Sequence, residues 1–148
     1  MLLIQFIVSA LLVVATFTIH FVGLVALSAL MRRRGHHPAT LTTMVGQGAS
    51  ILSIVLTLFL LHAIEICVYA AAFRVVGAVE TVETALYFST STFTTVGFGD
   101  IVLTPDWRLM AAAESMNGFL LIGWSTAFLV SVTGNVRAFE ATVRELTD

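Results

Sequence analysis

The chain has 148 residues, of which 58% are hydrophobic and 11% charged, and its mean hydropathy is +0.99. Those values lie outside the range of soluble domains and inside that of membrane proteins. A net charge of −2 gives no case for a nucleic-acid partner, and the single cysteine, Cys67, excludes an intrachain disulfide.

Leu2 to Met31 is nearly uninterrupted apolar sequence. It exceeds the ~20 residues that cross a ~30 Å hydrocarbon core. A cleaved signal peptide is disfavoured: no basic segment precedes Leu2, the apolar run is too long, and arginines follow it instead of a small-residue cleavage site. The first span is therefore assigned to 1–31 and a basic loop to 32–43, where Gly35 and Pro38 mark a turn after Arg32, Arg33 and Arg34. His36 and His37 extend that polar turn, and no Cys or further His completes a metal site there. A second span follows within Thr40 to Ala72, and Arg74 closes it.

Val82 to Phe93 reads as a helix of ~18 Å, too short to cross. Thr81 can cap it, and Glu80 and Glu83 suit the positive end of its dipole. It runs into Thr94-Thr95-Val96-Gly97-Phe98-Gly99-Asp100, where β-branched residues and then two glycines make a poor helix. Backbone that cannot bond to itself between membrane spans must be buried in protein or line a water-filled path. The short helix is accordingly read as re-entrant and the segment after it as lining a path. A third span occupies 106–134, with Trp107 and Arg108 at its start, and a charged amphipathic tail carries Arg137, Glu140, Arg144 and Glu145.

Arginine placement orients the chain. Cytoplasmic loops carry the excess of Lys and Arg. With the Arg32–Arg34 loop inside, Arg137 and Arg144 are inside too, so five of the seven arginines are cytoplasmic and Arg74 and Arg108 are outside. The N-terminus is then outside, the C-terminus is cytoplasmic, and the short helix enters from outside.

Span, short helix, T-T-V-G-F-G-D, span over residues 44–134 resembles the pore module of potassium channels, including small bacterial and two-pore-domain-like members, with one extra N-terminal helix. The resemblance implies an all-α membrane fold of three transmembrane helices plus a re-entrant pore helix and filter loop, assembled as a homotetramer. It implies an outer helix at 44–73, a pore helix at 82–93, a filter at 94–100 and an inner helix at 106–134. The function implied is passive, selective K⁺ conduction across the cell's inner (plasma) membrane, with K⁺ as permeant ion, lipid as surroundings and no cofactor. Thr95, Val96, Gly97, Phe98 and Gly99 would form the filter, the first four offering K⁺ their carbonyls. That use of backbone carbonyls is the family's known mechanism. Alternation with glycine suits it, because Gly97 and Gly99 can take positive φ and let successive carbonyls face one axis.

Departures from the family pattern concern the filter's surroundings. Phe98 stands where Tyr is commonest, Ser91 where some bacterial members carry a carboxylate, and Tyr87 where many carry Trp. Thr94, Asp100, Tyr87 and Ser91 are filter-support candidates, with Tyr87 donating to Asp100. Glu114, and secondarily Glu65, are candidates for hydrogen bonds behind the filter; a carboxyl kept protonated and bonded locally is the competing fate of each. Alignment of the third span puts Gly118 at a hinge position, with close helix packing as an equal alternative, and Gly123 at a packing position. It places Phe119, Ile122 and Thr126 along the cavity below the filter. Asn117 is expected in an interhelical contact, and His20 and His62 are expected to be satisfied by neighbours. The polar face Thr16, Thr18 and His20 of the first span is expected to pack on the second span.

No metal-ligand set, nucleophile triad or phosphate loop is found, so the chain is not read as an enzyme. A non-selective cation channel and a non-conducting membrane subunit that retains a relic pore are the alternatives. The intact T-V-G-F-G argues against the second.

Overall fold

The computed structural model describes residues 2–34 and 44–145, with side chains left undescribed at 33, 34, 44, 47 and 135–145. Four helices follow in order: α1 (Leu2–Arg34), α2 (Met44–Val75), α3 (Val82–Phe93) and α4 (Arg108–Glu145). No strand occurs among the described residues. α1, α2 and α4 are each long and apolar enough to cross a membrane, and α3 is not. His36, His37 and Pro38 lie outside the described residues, as do the side chains of Arg137, Glu140, Arg144 and Glu145.

Helix ends differ from the sequence reading where local bonding sets them. α1 runs on to Arg34 instead of stopping at Met31. α2 ends at Val75, because Gly77 takes φ +70° and the reversal returns two carbonyls: Gly77 N–H donates to Arg74 O at 3.2 Å and Ala78 N–H to Phe73 O at 2.9 Å. This glycine-centred pair of bonds satisfies carbonyls that a helix end leaves open. The Arg74 guanidinium then ties the next turn, donating to Val79 O at 2.8 Å. α4 starts at Arg108 and not Asp106, since Asp106 lies in the turn closed by Trp107 N–H to Thr104 O at 3.0 Å. α4 also continues past Gly134 to Glu145, so the backbone of the tail prolongs the same helix.

The molecule is apolar outside. Leu3 is 71% exposed and Phe59 73%, which suits helices that meet lipid or other apolar surfaces. The inner contacts are mixed. One cluster joins Tyr69 and Phe73 of α2 to Phe88 and Phe93 of α3 and Met110 and Leu121 of α4. Phe73 and Phe88 meet edge to face, with ring centroids 5.2 Å apart, a favoured aromatic geometry. A second cluster packs Leu24 and Leu27 of α1 on Ile54, Leu58 and Leu61 of α2.

α1 does more than shield α2 from lipid. It packs against α4 as well, and its buried face carries Gln5, Ser9, Thr16 and His20. Gln5 Oε1 accepts from the backbone N–H of Leu109 at 3.3 Å, so α1 caps an open donor in the first turn of α4. Asn117 of α4 donates to Thr16 Oγ1 at 2.7 Å and to Tyr69 OH at 3.2 Å, which joins α1, α2 and α4 at one point. Interhelical bonds of this kind contribute about 0.6 kcal/mol each in membranes and up to about 1.7. Thr18, in contrast, is exposed and bonds back to Val14 O at 2.7 Å, so it takes no part in this contact.

Candidate functional site

α3 is built to present its C-terminal end. Thr81 caps it in an extended conformation, its Oγ1 accepting from Thr84 N–H at 3.0 Å, and Glu83 sits in the first turn. Phe88 and Phe93 anchor its buried side. The helix ends at Phe93, and the chain leaves through Thr94 into a segment with an unusual backbone. Thr95 has φ +63°, Gly97 +55° and Gly99 +78°, while Val96 and Phe98 are not in the positive region. Alternate residues are therefore left-handed. Such alternation can turn successive carbonyls to one side of an extended chain, whereas an ordinary strand points them alternately to opposite sides. The sequence pointed to the two glycines but not to Thr95. A β-branched residue at positive φ is a genuine outlier, and such strain, of order 1–3 kcal/mol, concentrates at functional segments.

The N–H side of this segment is held by α3. Gly97 N–H donates to Ser91 O at 3.1 Å, and Phe98 N–H donates to Ser91 Oγ at 3.3 Å. A single serine thus fixes two successive amides. No described hydrogen bond takes a carbonyl of Thr95 to Gly99. At the far end, Tyr87 OH donates to Asp100 Oδ2 at 2.7 Å, and the Tyr87 ring stacks on Phe98 with an interplanar angle of 12°. The hydrogen bond to Asp100 pushes the Tyr87 phenol above its ordinary value, so the donor persists into alkaline solution. Thr94 Oγ1 bonds to Thr90 O at 2.7 Å and so braces the exit from α3.

α4 backs this arrangement. Gly118 lies against the carbonyl of Phe93; a Cβ built there would overlap that oxygen and fall 2.8 Å from the carbonyl carbon. Gly123 has open space around it within the chain, so the packing expected there is not made inside one copy. Phe119 and Thr126 are exposed and Ile122 is half-buried on the chain taken singly. Glu114 is fully buried, and its Oε1 shares a hydrogen bond with Ser89 Oγ of α3. Ser89 also donates to Ile66 O at 3.0 Å. A hydroxyl has one proton and both neighbours offer acceptor oxygens, so Ser89 divides its donor between Glu114 Oε1 and Ile66 O. Glu114 is thus hydrogen-bonded to the short helix and makes no described hydrogen bond to 94–100.

Glu65 makes no described hydrogen bond to the 94–100 segment and is satisfied by histidines, one of them three residues away on its own helix. Its two oxygens face His20 Nδ1 and His62 Nδ1, each at 2.8 Å. The i, i+3 spacing of His62 and Glu65 was a readable signal for half of this cluster; the arrival of His20 depends on how α1 sits against α2.

Residues 51–135, more than half of the chain, match the family described as ion channel. The chain belongs to the ion-channel family. The matched stretch holds most of α2, all of α3, the alternating segment and the apolar part of α4, and it leaves out α1. No curated protein and no solved structure matches the chain. Family membership together with three apolar helices makes this a multi-pass membrane protein.

Tyr87→Phe is expected to alter the time course of conduction while leaving the fold intact. The ring stack on Phe98 survives the change, and only the bond to exposed Asp100 is lost. Current relaxations recorded after a voltage or concentration step check this; traces that superimpose on the wild type would show that the bond braces nothing.

Proposed function

We propose that four copies of this chain surround one K⁺-selective pore, with Thr95, Val96, Gly97 and Phe98 supplying the carbonyls that replace water around the ion. The observation that carries this reading is the alternation of left-handed φ at Thr95, Gly97 and Gly99. It orients a row of carbonyls to one side while Ser91 holds the opposite, N–H side. One chain gives one wall, and a ring of walls is needed to enclose an ion. The C-terminal, negative end of α3 points toward the start of that row and favours a cation.

In this arrangement α3 is a re-entrant pore helix entered from outside, α2 is the outer helix and α4 the inner helix. Phe119, Ile122 and Thr126 then face the cavity below the filter, and an apolar constriction on α4 can gate by dewetting. Phe98 has no hydroxyl to brace the filter, and its stack on Tyr87 takes that place. Support comes from Ser91 and Tyr87 directly, and from Glu114 through Ser89.

Reversal potentials of the purified protein in liposomes under a K⁺/Na⁺ gradient test the proposal. A value near the K⁺ equilibrium potential is expected. A value near zero makes the protein a non-selective cation channel. Folded tetramers that pass no ion make it a non-conducting subunit.

A further inference from the structure

A polar assembly that conduction does not use lies between α1 and α2. His20, His62 and Glu65 bring one ligand atom each to within 4.8 Å of one another. His20 and Glu65 are fully buried, and the His62 side chain is 18% exposed. The two imidazoles are stacked with centroids 5.4 Å apart and present the same atom, Nδ1, to different oxygens of one carboxylate. His20 turns its other nitrogen to Ser125 Oγ of α4 at 3.4 Å. Aromatic rings close the surroundings: Trp124 lies 5.3 Å from the His20 ring and Phe93 lies 5.8 Å from the His62 ring.

We propose that His20 Nδ1, His62 Nδ1 and Glu65 bind a first-row divalent transition ion, Zn²⁺ in the first instance, within the helix bundle. Two imidazoles and one carboxylate form an established set for Zn²⁺, which takes these ligands at about 2.0–2.2 Å. At tetrahedral angles such bonds separate ligand atoms by about 3.3 Å, so the observed 2.8 Å N···O pairs open by a few tenths of an ångström to admit the ion. The outer partner is in place too. An imidazole bound through Nδ1 donates its Nε2–H outward, and an acceptor there fixes tautomer and ring orientation; Ser125 Oγ is that acceptor. Imidazole selects against the ions that prefer oxygen alone, Mg²⁺ and Ca²⁺, and K⁺ shares that preference, so this site is separate from the conduction path. The inference does not depend on what the pore conducts.

Occupancy ties α1 to α2 by coordinate bonds. The His62 ring lies on Phe93, the last residue of α3, so the ion also stiffens the wall behind the start of the alternating segment.

The test uses the full chain, purified, stripped with chelator and returned to neutral buffer. Titration with Co²⁺ is expected to give a visible absorption band of a low-symmetry, four-coordinate ion, saturating at one ion per chain. Zn²⁺ should displace the ion and abolish the band. His62→Gln should weaken Zn²⁺ binding by at least ~100-fold, the upper end of what losing a mere outer partner does. Glu65→Gln, nearly isosteric, keeps the packing if His62→Gln does not fold. A variant with both His36→Ala and His37→Ala should bind as the wild type does. A folded wild type that gives no band and retains no Zn²⁺ overturns the proposal. So does loss of binding in the His36, His37 variant, which would place the ion in the loop.

Discussion

In the pore proposed above, Gly97→Ala is expected to abolish K⁺ flux through the reconstituted protein and to leave its helices intact. Nothing lies within 4 Å of a Cβ built at Gly97, so the methyl group is not excluded by space. Its effect comes from the backbone. Gly97 has φ +55°, where an L-residue is disfavoured by about 1–2 kcal/mol. In the proposed tetramer four copies concentrate that cost in one ring, about 4–8 kcal/mol if the ring keeps its geometry. The ring can escape by letting residue 97 return to negative φ, which turns a carbonyl away from the axis and breaks the row. The first outcome makes the conducting form rarer by that cost and the second removes an ion site, so a loss of at least ~100-fold in flux is expected, since each 1.4 kcal/mol is a factor of ten. Liposome K⁺ flux measures it, with circular dichroism and the oligomeric state as controls. Flux within a few-fold of the wild type would mean that the alternating backbone is not what carries ions.

Gly118→Ala has the second-largest expected effect, and it acts by the opposite cause. Here the space is missing. The added Cβ collides with the main-chain carbonyl of Phe93, which cannot swing aside as a side chain does. α3 and α4 must separate at the point where the chain enters Thr94. Overpacking costs about 1–3 kcal/mol, and a backbone obstacle puts this position at the upper end. Thermal unfolding is expected about 5–10 °C lower, together with reduced conduction. A pure hinge role gives a different result: altered open probability with an unchanged Tm. Scanning fluorimetry and single-channel recording of the same variant separate the two.

These two glycines show what was legible from sequence. Gly97 announces itself through its neighbours, because a run of β-branched residues and spaced glycines after a short amphipathic helix has few other uses. Gly118 is one small residue in an apolar helix, and whether it bends or packs depends on what α3 places opposite. The polar side chains divide in the same manner. That Glu114, Asn117 and His20 need partners follows from the cost of burying them. Which partners they find depends on helix rotation: Thr16 faces inward and Thr18 outward, though both are threonines two residues apart on one helix. Glu65 was readable as buried and in need of a partner; that His20 is one of them was not, because α1 lies on both α2 and α4 and brings His20 with it. The start of α4 was placed two residues early, since Asp106 belongs to a turn whose closing bond has no compositional mark.

The contact of Gln5 and Thr16 with α4 bears on how the chain enters the bilayer. Synthesis proceeds from the N-terminus, so α1 is in place before α4 leaves the ribosome. α4 is the least apolar of the three long helices and carries Glu114 and Asn117. When it arrives, α1 already offers an acceptor for the backbone of Leu109 and another for the Asn117 amide. The first helix thus satisfies two polar groups of the last that would otherwise lack a partner in apolar surroundings.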